Sequence, residues 1–144
     1  MKGSYKKFDQ KLFNDNDPKS REIVINFFKK YNIILKDNED KYGVDLISED
    51  GSMKFELERR LVWNKTEFPF SDINLPERKA KFFLQNNVSY IIISNDYSHI
   101  GIIMGGDIKE YIKNTNLKES ANKFVSRGEM FYKLPKHKFK WIKI

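Results

Sequence analysis

Two strand-like stretches of the chain, GVDLIS at 43–48 and MKFELERRL at 53–61, flank an Asp-Gly dipeptide at 50–51. Asp-Gly between such runs is among the stronger sequence signals for a β-hairpin. If the dipeptide forms the loop, the register of the hairpin places Asp45 opposite Glu56. A shift of one residue would turn every side chain of a strand to the other face, so this register constrains the fold more than any other feature.

The predicted hairpin brings acidic side chains together. Directly opposed residues have Cβ atoms ~5 Å apart, and Glu58, two residues after Glu56, lies on the same face of its strand. Like charges in this position destabilise a sheet unless a cation lies between them, and clustered carboxylates suit Mg²⁺ or Mn²⁺. The alternative is that Glu56 and Glu58 lie on a solvated strand face and are balanced by Lys54 and Arg60.

Periodicity and turn residues predict the other elements. Helices are predicted at residues 18–32, 76–85 and 107–113, and strands at 33–36, 43–48, 53–61, 88–94 and 99–104, with short edge strands at 131–134 and 139–144. The apolar run VSYIIIS is typical of a central strand that is covered on both faces. The pattern indicates an α/β domain over residues 1–144, with a single central mixed β-sheet flanked by helices.

The hairpin pattern resembles that of the PD-(D/E)xK nuclease superfamily, whose members carry an Asp on one strand and an acidic-x-Lys on the next. Val44-Asp45 matches the first position and Glu56-Leu57-Glu58 the second, in an ExE variant. The resemblance covers about residues 17 to 94 and implies a restriction-endonuclease-like fold and a Mg²⁺- or Mn²⁺-dependent DNA endonuclease. It implies that Asp45, Glu56 and the carbonyl of Leu57 bind the metal, and that Glu58 binds a second metal or orients the attacking water.

The resemblance also implies a first-helix acid as a further ligand and a lysine that supplies positive charge at the scissile phosphate. Glu22 is the candidate acid, and Glu58 stands where the motif lysine is expected. Lys79 lies on the apolar stripe of the PERKAKFF helix, beside Phe83. A lysine there either extends outward over the core or reaches into a site, and in the second case Lys79 can replace the motif lysine. Arg60 is the other candidate for this charge.

Charge points to a polyanionic partner. The net charge is +7, and residues 127–144 carry Arg127 and five lysines against one glutamate. Such a basic segment favours nucleic acid, although a solubilising surface has the same composition. DNA is the expected partner, RNA is an alternative, and the residues expected to contact it are Arg60, Arg78, Lys81, Lys136, Lys138 and Lys140.

The remaining sequence features limit the class of protein and its location. With 40% hydrophobic residues the chain can bury a core, and without cysteine it has neither disulfides nor a Cys-based zinc site. No apolar run is long enough to span a bilayer, and the first residues lack a secretory apolar region, so a cytoplasmic location is expected. Abundant Asn, Lys and Ile suggest an AT-rich genome, as in some bacteria and phages.

The segment WNKTEFPF can be a flap, part of a homodimer interface or part of the core. The alternatives to a nuclease are an inactive nucleic-acid-binding module on the same fold and a protein–protein adaptor.

Overall fold

A computed structural model describes residues 18–38, 44–64, 66–113, 118–119 and 130–144. Its helices are α1 (residues 18–29), α2 (Glu77–Asn86) and α3 (Gly105–Lys113), with a 3₁₀ turn at Lys136–Lys138. Its strands are β1 (Leu35–Asp37), β2 (Leu46–Ser48), β3 (Lys54–Arg60), β4 (Asp72–Pro76), β5 (Ser89–Ser94), β6 (His99–Ile103), β7 (Lys118–Glu119), β8 (Met130–Pro135) and β9 (Lys140–Lys143). Among the helices that the structure describes, none combines the length and apolar character needed to cross a membrane.

The larger sheet contains six strands in the order β1-β2-β3-β5-β6-β9. Strands β1, β2 and β3 are antiparallel neighbours, and β5 lies parallel to β3 after the α2 crossover. Every residue of β5 is buried, which confirms the prediction of a central strand covered on both faces. Strand β9 lies at the far edge, where Gly101 of β6 leaves room for Trp141, because a Cβ at Gly101 would lie 2.5 Å from the indole ring.

A second sheet, β4-β8-β7, corrects the prediction of a single sheet. The stretch before Pro76, where no element is predicted, contains β4, whose Ile73 and Leu75 are fully buried. Strand β8 pairs with β4 on one side and β7 on the other, so it is a middle strand and not an edge strand. Alternation over so few residues, next to a proline, is a weak strand signal when it is read without its partner.

Two apolar clusters cover the two faces of the larger sheet. On one face α1 packs on β3 through Phe28, whose ring lies 5.3 Å from that of Phe55. On the other face α2 and the second sheet pack on β5, with Phe83 of α2 against Tyr90. Successive side chains of a strand point to opposite faces. Strand β3 therefore turns Phe55 and Leu57 toward α1, and Glu56, Glu58 and Arg60 toward α2.

The β2–β3 hairpin has the predicted register but a longer loop. Leu46 faces Phe55 and Ile47 faces Lys54, as expected. The backbone N–H of Ser48 donates to the carbonyl of Met53 at 2.9 Å, which leaves residues 49–52 as the loop. Adding one residue on each side of an Asp-Gly loop leaves the register unchanged.

Asp50 and Gly51 stabilise this longer loop. Gly51 has a φ of +77°, which a residue with a side chain adopts only with strain. The carboxylate of Asp50 accepts hydrogen bonds from the backbone and hydroxyl of Ser52 and from the hydroxyl of Ser48. These bonds lower the pKa of Asp50 to about 2.

Three element boundaries also differ from prediction. Strand β1 begins at Leu35, two residues later than expected, and α1 ends at residue 29. Helix α3 begins at Gly105, so Asp107 lies in its first turn and does not cap it. Gly105 allows this early start, because a Cβ there would lie 2.9 Å from the carbonyl oxygen of Val88.

Candidate active site

The side chain of Asp45 meets β3 where the backbone pairing of β2 with β3 stops. Backbone pairing ends at Leu46. The N–H of Leu57 therefore donates to Oδ2 of Asp45, at 2.8 Å, in place of a backbone carbonyl of β2. The backbone N–H and C=O of one residue in an antiparallel strand point to the same neighbour. The carbonyl of Leu57 therefore lies on the Asp45 side of β3, as the predicted metal ligand set requires.

Asp45 and Glu56 are adjacent, as the register predicted. The N–H of Ser48 donates to the carbonyl of Met53, and alternation along the ladder from this pair makes Asp45 and Glu56 a pair of the non-hydrogen-bonded type, in which side chains approach most closely. The two carboxyl groups share a hydrogen bond. Burial, this bond and the charge of Asp45 raise the pKa of Glu56 to about 8. At neutral pH Glu56 is therefore mostly protonated.

Lys79 of α2 acts on this pair of carboxyl groups. Its charge lowers the pKa of Glu56 and so partly offsets burial and Asp45. The residue is half-buried at the start of α2, on the face of the sheet toward which Glu56 points. The charge of Lys79 therefore acts on Glu56, and its role at a scissile phosphate stays a prediction.

Arg21 of α1 is a member of the site that the sequence analysis missed. Its Nη2 lies 3.4 Å from Oδ1 of Asp45, and its Nε lies 3.6 Å from Oδ1 of Asp37. Arg21 approaches Asp45 because α1 crosses the sheet next to the start of β2. The sequence carries no signal for that crossing and points to the neighbouring Glu22 instead.

Glu58 belongs to a separate polar network with Arg60 and Tyr90. The hydroxyl of Tyr90 donates to Oε2 of Glu58 at 2.9 Å and accepts from Nη2 of Arg60 at 3.0 Å. Nε of Arg60 lies 2.8 Å from Oε1 of Glu58, but its N–H finds no aligned acceptor, so this contact is an ion pair and not a hydrogen bond. Burial raises the pKa of Tyr90 well above its ordinary value, which keeps the hydroxyl protonated.

The predicted cluster of three or four carboxylates is thus a pair. Among the residues that the structure describes, no group of three or more His, Asp or Glu side chains could hold a metal ion. Glu58 shares the strand face of Glu56, as expected, but is engaged by Arg60 and Tyr90. Glu22 is exposed on α1, and Arg21 takes the place beside Asp45 that was expected for it.

The residues expected to contact nucleic acid fall into three groups. Arg60 is engaged within the domain, and Lys136 donates to the carbonyl of Phe68 at 2.8 Å, so both have internal roles. Lys138 is exposed in the 3₁₀ turn, and Lys140 is exposed at the start of the edge strand β9. Arg78 and Lys81 lie in α2, but their side chains fall outside the described part of the structure, as do residues 127–129 of the basic segment.

The WNKTEFPF segment packs largely onto the domain itself. Trp63 and Phe68 are buried and contact each other edge to face at 5.4 Å, and Trp63 donates to the carbonyl of Thr66. Phe70 is the exposed aromatic residue of the segment, at 53%. Of the three roles considered, packing onto the core accounts for Trp63 and Phe68.

No protein-family model matches this chain, and the search of curated proteins found no match either.

Proposed function

We propose that this protein is a metal-dependent endonuclease that hydrolyses phosphodiester bonds in DNA, with Asp45 and Glu56 as ligands of Mg²⁺ or Mn²⁺. The observation that carries the proposal is the direct pairing of these carboxyl groups, with the charge of Lys79 acting on Glu56. Two acids held together inside a fold by a shared proton form a site in which a cation can replace the proton.

The donor atoms at this pair fit a hard divalent cation. Carboxylate oxygens and a backbone carbonyl, here that of Leu57, are the protein ligands that Mg²⁺ accepts while it keeps several waters. Glu56 must release its proton when the metal binds, so its raised pKa weakens metal binding at neutral pH. When bound, the metal supplies an activated water and stabilises the charge that develops on the phosphate.

The side chains around the pair have separate roles in this proposal. Lys79 provides positive charge near the scissile phosphate and favours the ionised form of Glu56. Arg21 and the N–H of Leu57 fix the two oxygens of Asp45, so that this carboxylate is oriented before metal or substrate arrives. Glu58 is held by Arg60 and Tyr90, and we assign it to positioning β3.

The order of elements supports the same proposal. The resemblance to PD-(D/E)xK nucleases requires a helix, a hairpin with acidic residues on its two strands, a second helix and a following strand. Helix α1, the β2–β3 hairpin, α2 and β5 occur in this order, and β5 lies beside β3 in the sheet. We infer a restriction-endonuclease-like fold from this agreement.

A cleavage assay tests the proposal. The full chain is incubated with supercoiled plasmid, single-stranded DNA, a four-way DNA junction and a matched RNA strand, each with Mg²⁺, Mn²⁺ or EDTA. We expect cutting of at least one DNA substrate that depends on the metal. Binding without cutting under any metal would overturn the proposed activity.

A non-catalytic nucleic-acid-binding module is the second candidate, and one observation favours it. The shared proton and Arg21 already satisfy the Asp45–Glu56 pair within the protein, so the fold does not need a metal there. This candidate predicts salt-sensitive binding that is equal in EDTA and in Mg²⁺, because phosphate contacts weaken with salt but need no metal.

A further inference from the structure

Two cations meet one aromatic ring at the end of the larger sheet. Nζ of Lys19 lies 4.6 Å from the centroid of the Tyr97 ring, and the guanidinium carbon of Arg59 lies 4.4 Å from it. Lys19 is on α1, Arg59 is near the end of β3, and Tyr97 is in the turn between β5 and β6. Three elements that are distant in sequence therefore place two positive charges on one ring, and we call these three residues the cationic clamp.

Hydrogen bonds hold the turn that carries Tyr97. Tyr97 has a φ of 62°, an uncommon conformation for a bulky residue. The carboxylate of Asp96 compensates for this conformation, since it accepts hydrogen bonds from the hydroxyls of Ser94 and Ser98. Backbone held in such a conformation by its surroundings is more common at functional sites than elsewhere.

Arg59 is fixed to the same turn. Its Nε and Nη2 donate to the carbonyl of Asn95 at 3.1 Å and 2.6 Å. The guanidinium is therefore held in one position on the ring, while the ammonium group of Lys19, an exposed residue, remains accessible from solvent.

The clamp carries positive charge without a carboxylate partner among the described residues. The ion pairs found there involve Arg21, Arg60 and Lys136, and none joins an acidic group to Lys19 or Arg59. Cations that gather on an aromatic ring in place of a carboxylate keep their charge available to an external anion, since a ring attracts a cation without neutralising it.

We propose that the cationic clamp binds the phosphate backbone of nucleic acid on the face of the larger sheet that α1 covers. Arg59 lies three residues after Glu56, so its side chain points to the opposite face of β3 from that of Glu56. Tyr97 packs against the apolar cluster on the same α1 face. The clamp is therefore a site separate from the Asp45–Glu56 pair. It contacts phosphate and does not read sequence, because the ring already holds the two cations.

This inference rests on the proposed function only in taking DNA as the ligand, and it is tested by binding without cutting. Fluorescence anisotropy of a labelled DNA oligonucleotide, single-stranded and duplex, is measured in EDTA at several salt concentrations. Lys19→Ala is the principal variant, because Lys19 is exposed and its loss leaves the turn intact. Lys29→Ala is the matched control, since it removes one exposed positive charge from the same helix.

We expect Lys19→Ala and Arg59→Gln each to weaken binding about 5- to 10-fold and to reduce the slope of log K against log salt by about 0.7 to 0.9, the value for one lost phosphate contact. Lys29→Ala is expected to change affinity less than 2-fold. Thermal unfolding of each variant shows whether Arg59→Gln has disturbed the turn.

Equal binding by Lys19→Ala and Lys29→Ala would overturn the clamp, even if the protein cuts DNA. If the protein cuts no substrate but Lys19→Ala weakens binding with the expected loss of slope, the clamp stands and the nuclease proposal fails. Preferential capture of anionic lipid vesicles over the oligonucleotide would also contradict the clamp as assigned.

Discussion

The carboxyl group of Glu56 shares a hydrogen bond with that of Asp45, its cross-strand neighbour. This bond requires a proton, and burial together with Asp45 raises the pKa of Glu56 to about 8, which favours that proton at neutral pH. A proton and a divalent metal therefore compete for the same oxygens. The predictions below follow from this competition and from the side chains around it.

The first prediction concerns the stability of the metal-free protein. The pKa of Glu56 is about 8 in the folded chain, against an ordinary value of 4.5. The folded state therefore binds more protons than the unfolded state between these values, and the stabilising contribution of Glu56 is lost as pH rises from about 5 to 8. Glu56→Gln, which cannot ionise, lacks this loss. Urea unfolding at pH 5, 6, 7 and 8 measures it as the difference between the two proteins.

Glu49→Gln is the control for that comparison, because Glu49 is exposed in the loop of the same hairpin. We expect its stability to follow that of the wild type across the pH range. If the wild type and Glu56→Gln lose stability in parallel from pH 5 to 8, Glu56 does not retain its proton in the folded chain.

The second prediction concerns metal binding. Since Glu56 must lose a proton to bind Mn²⁺, the affinity for the metal should rise up to tenfold per pH unit from pH 6 and level off above about pH 8. Calorimetric titration of Mn²⁺ in buffers of different ionisation enthalpy measures both the affinity and the proton released. Binding that is independent of pH would place the metal elsewhere.

The third prediction concerns Lys79. Its charge lowers the pKa of Glu56, so Lys79→Ala should raise that pKa and shift the pH dependence of metal binding and cutting to higher pH. Lys79→Arg keeps the charge and should leave the shift small. Carboxyl-carbon NMR of Glu56 follows the titration directly. If Glu56 titrates at the same pH in Lys79→Ala as in the wild type, Lys79 does not act on the site.

The fourth prediction separates Glu58 from the chemistry. Glu58→Ala removes the ion-pair partner of Arg60, most of whose side chain is buried, and should cost about 1–3 kcal/mol of unfolding free energy. Tyr90→Phe, which removes the hydroxyl shared by both, should cost about 1 kcal/mol.

A double variant serves as the test of that assignment. Replacing Glu58 with Ala and Arg60 with Met removes both charges and should recover part of the lost stability, because no unpaired charge is left behind. Activity under conditions where the protein is fully folded should fall less than tenfold. A 100-fold loss of cutting activity in folded Glu58→Ala would show that Glu58 is a catalytic residue.

The hairpin was predictable because its register depends on local features. Alternating residues and a turn dipeptide fix which side chains oppose each other, and lengthening the loop symmetrically left the pairing of Asp45 with Glu56 intact. The position of Lys79 could be predicted for a similar reason, because helical periodicity places it along the buried stripe of α2.

The other site residues depend on long-range packing, which a single sequence does not encode locally. Arg21 reaches Asp45 only because of the path that α1 takes across the sheet. In the sequence, Tyr90 is indistinguishable from the apolar residues of a buried strand. Parallel pairing of β5 with β3 brings its hydroxyl to Glu58 and Arg60. Strand β4 was missed because its partner, β8, follows more than fifty residues later.

The most direct measurement of the central claim is the rate of DNA cutting in Mn²⁺ at pH 8 by the wild type, Asp45→Ala and Glu56→Gln, with Glu49→Gln as the control. If Asp45 and Glu56 bind the catalytic metal, both site variants should cut at least 100-fold more slowly than the wild type while remaining folded, and Glu49→Gln should cut at the wild-type rate. Metal-dependent cutting that survives in Asp45→Ala or Glu56→Gln would contradict the assignment of this site.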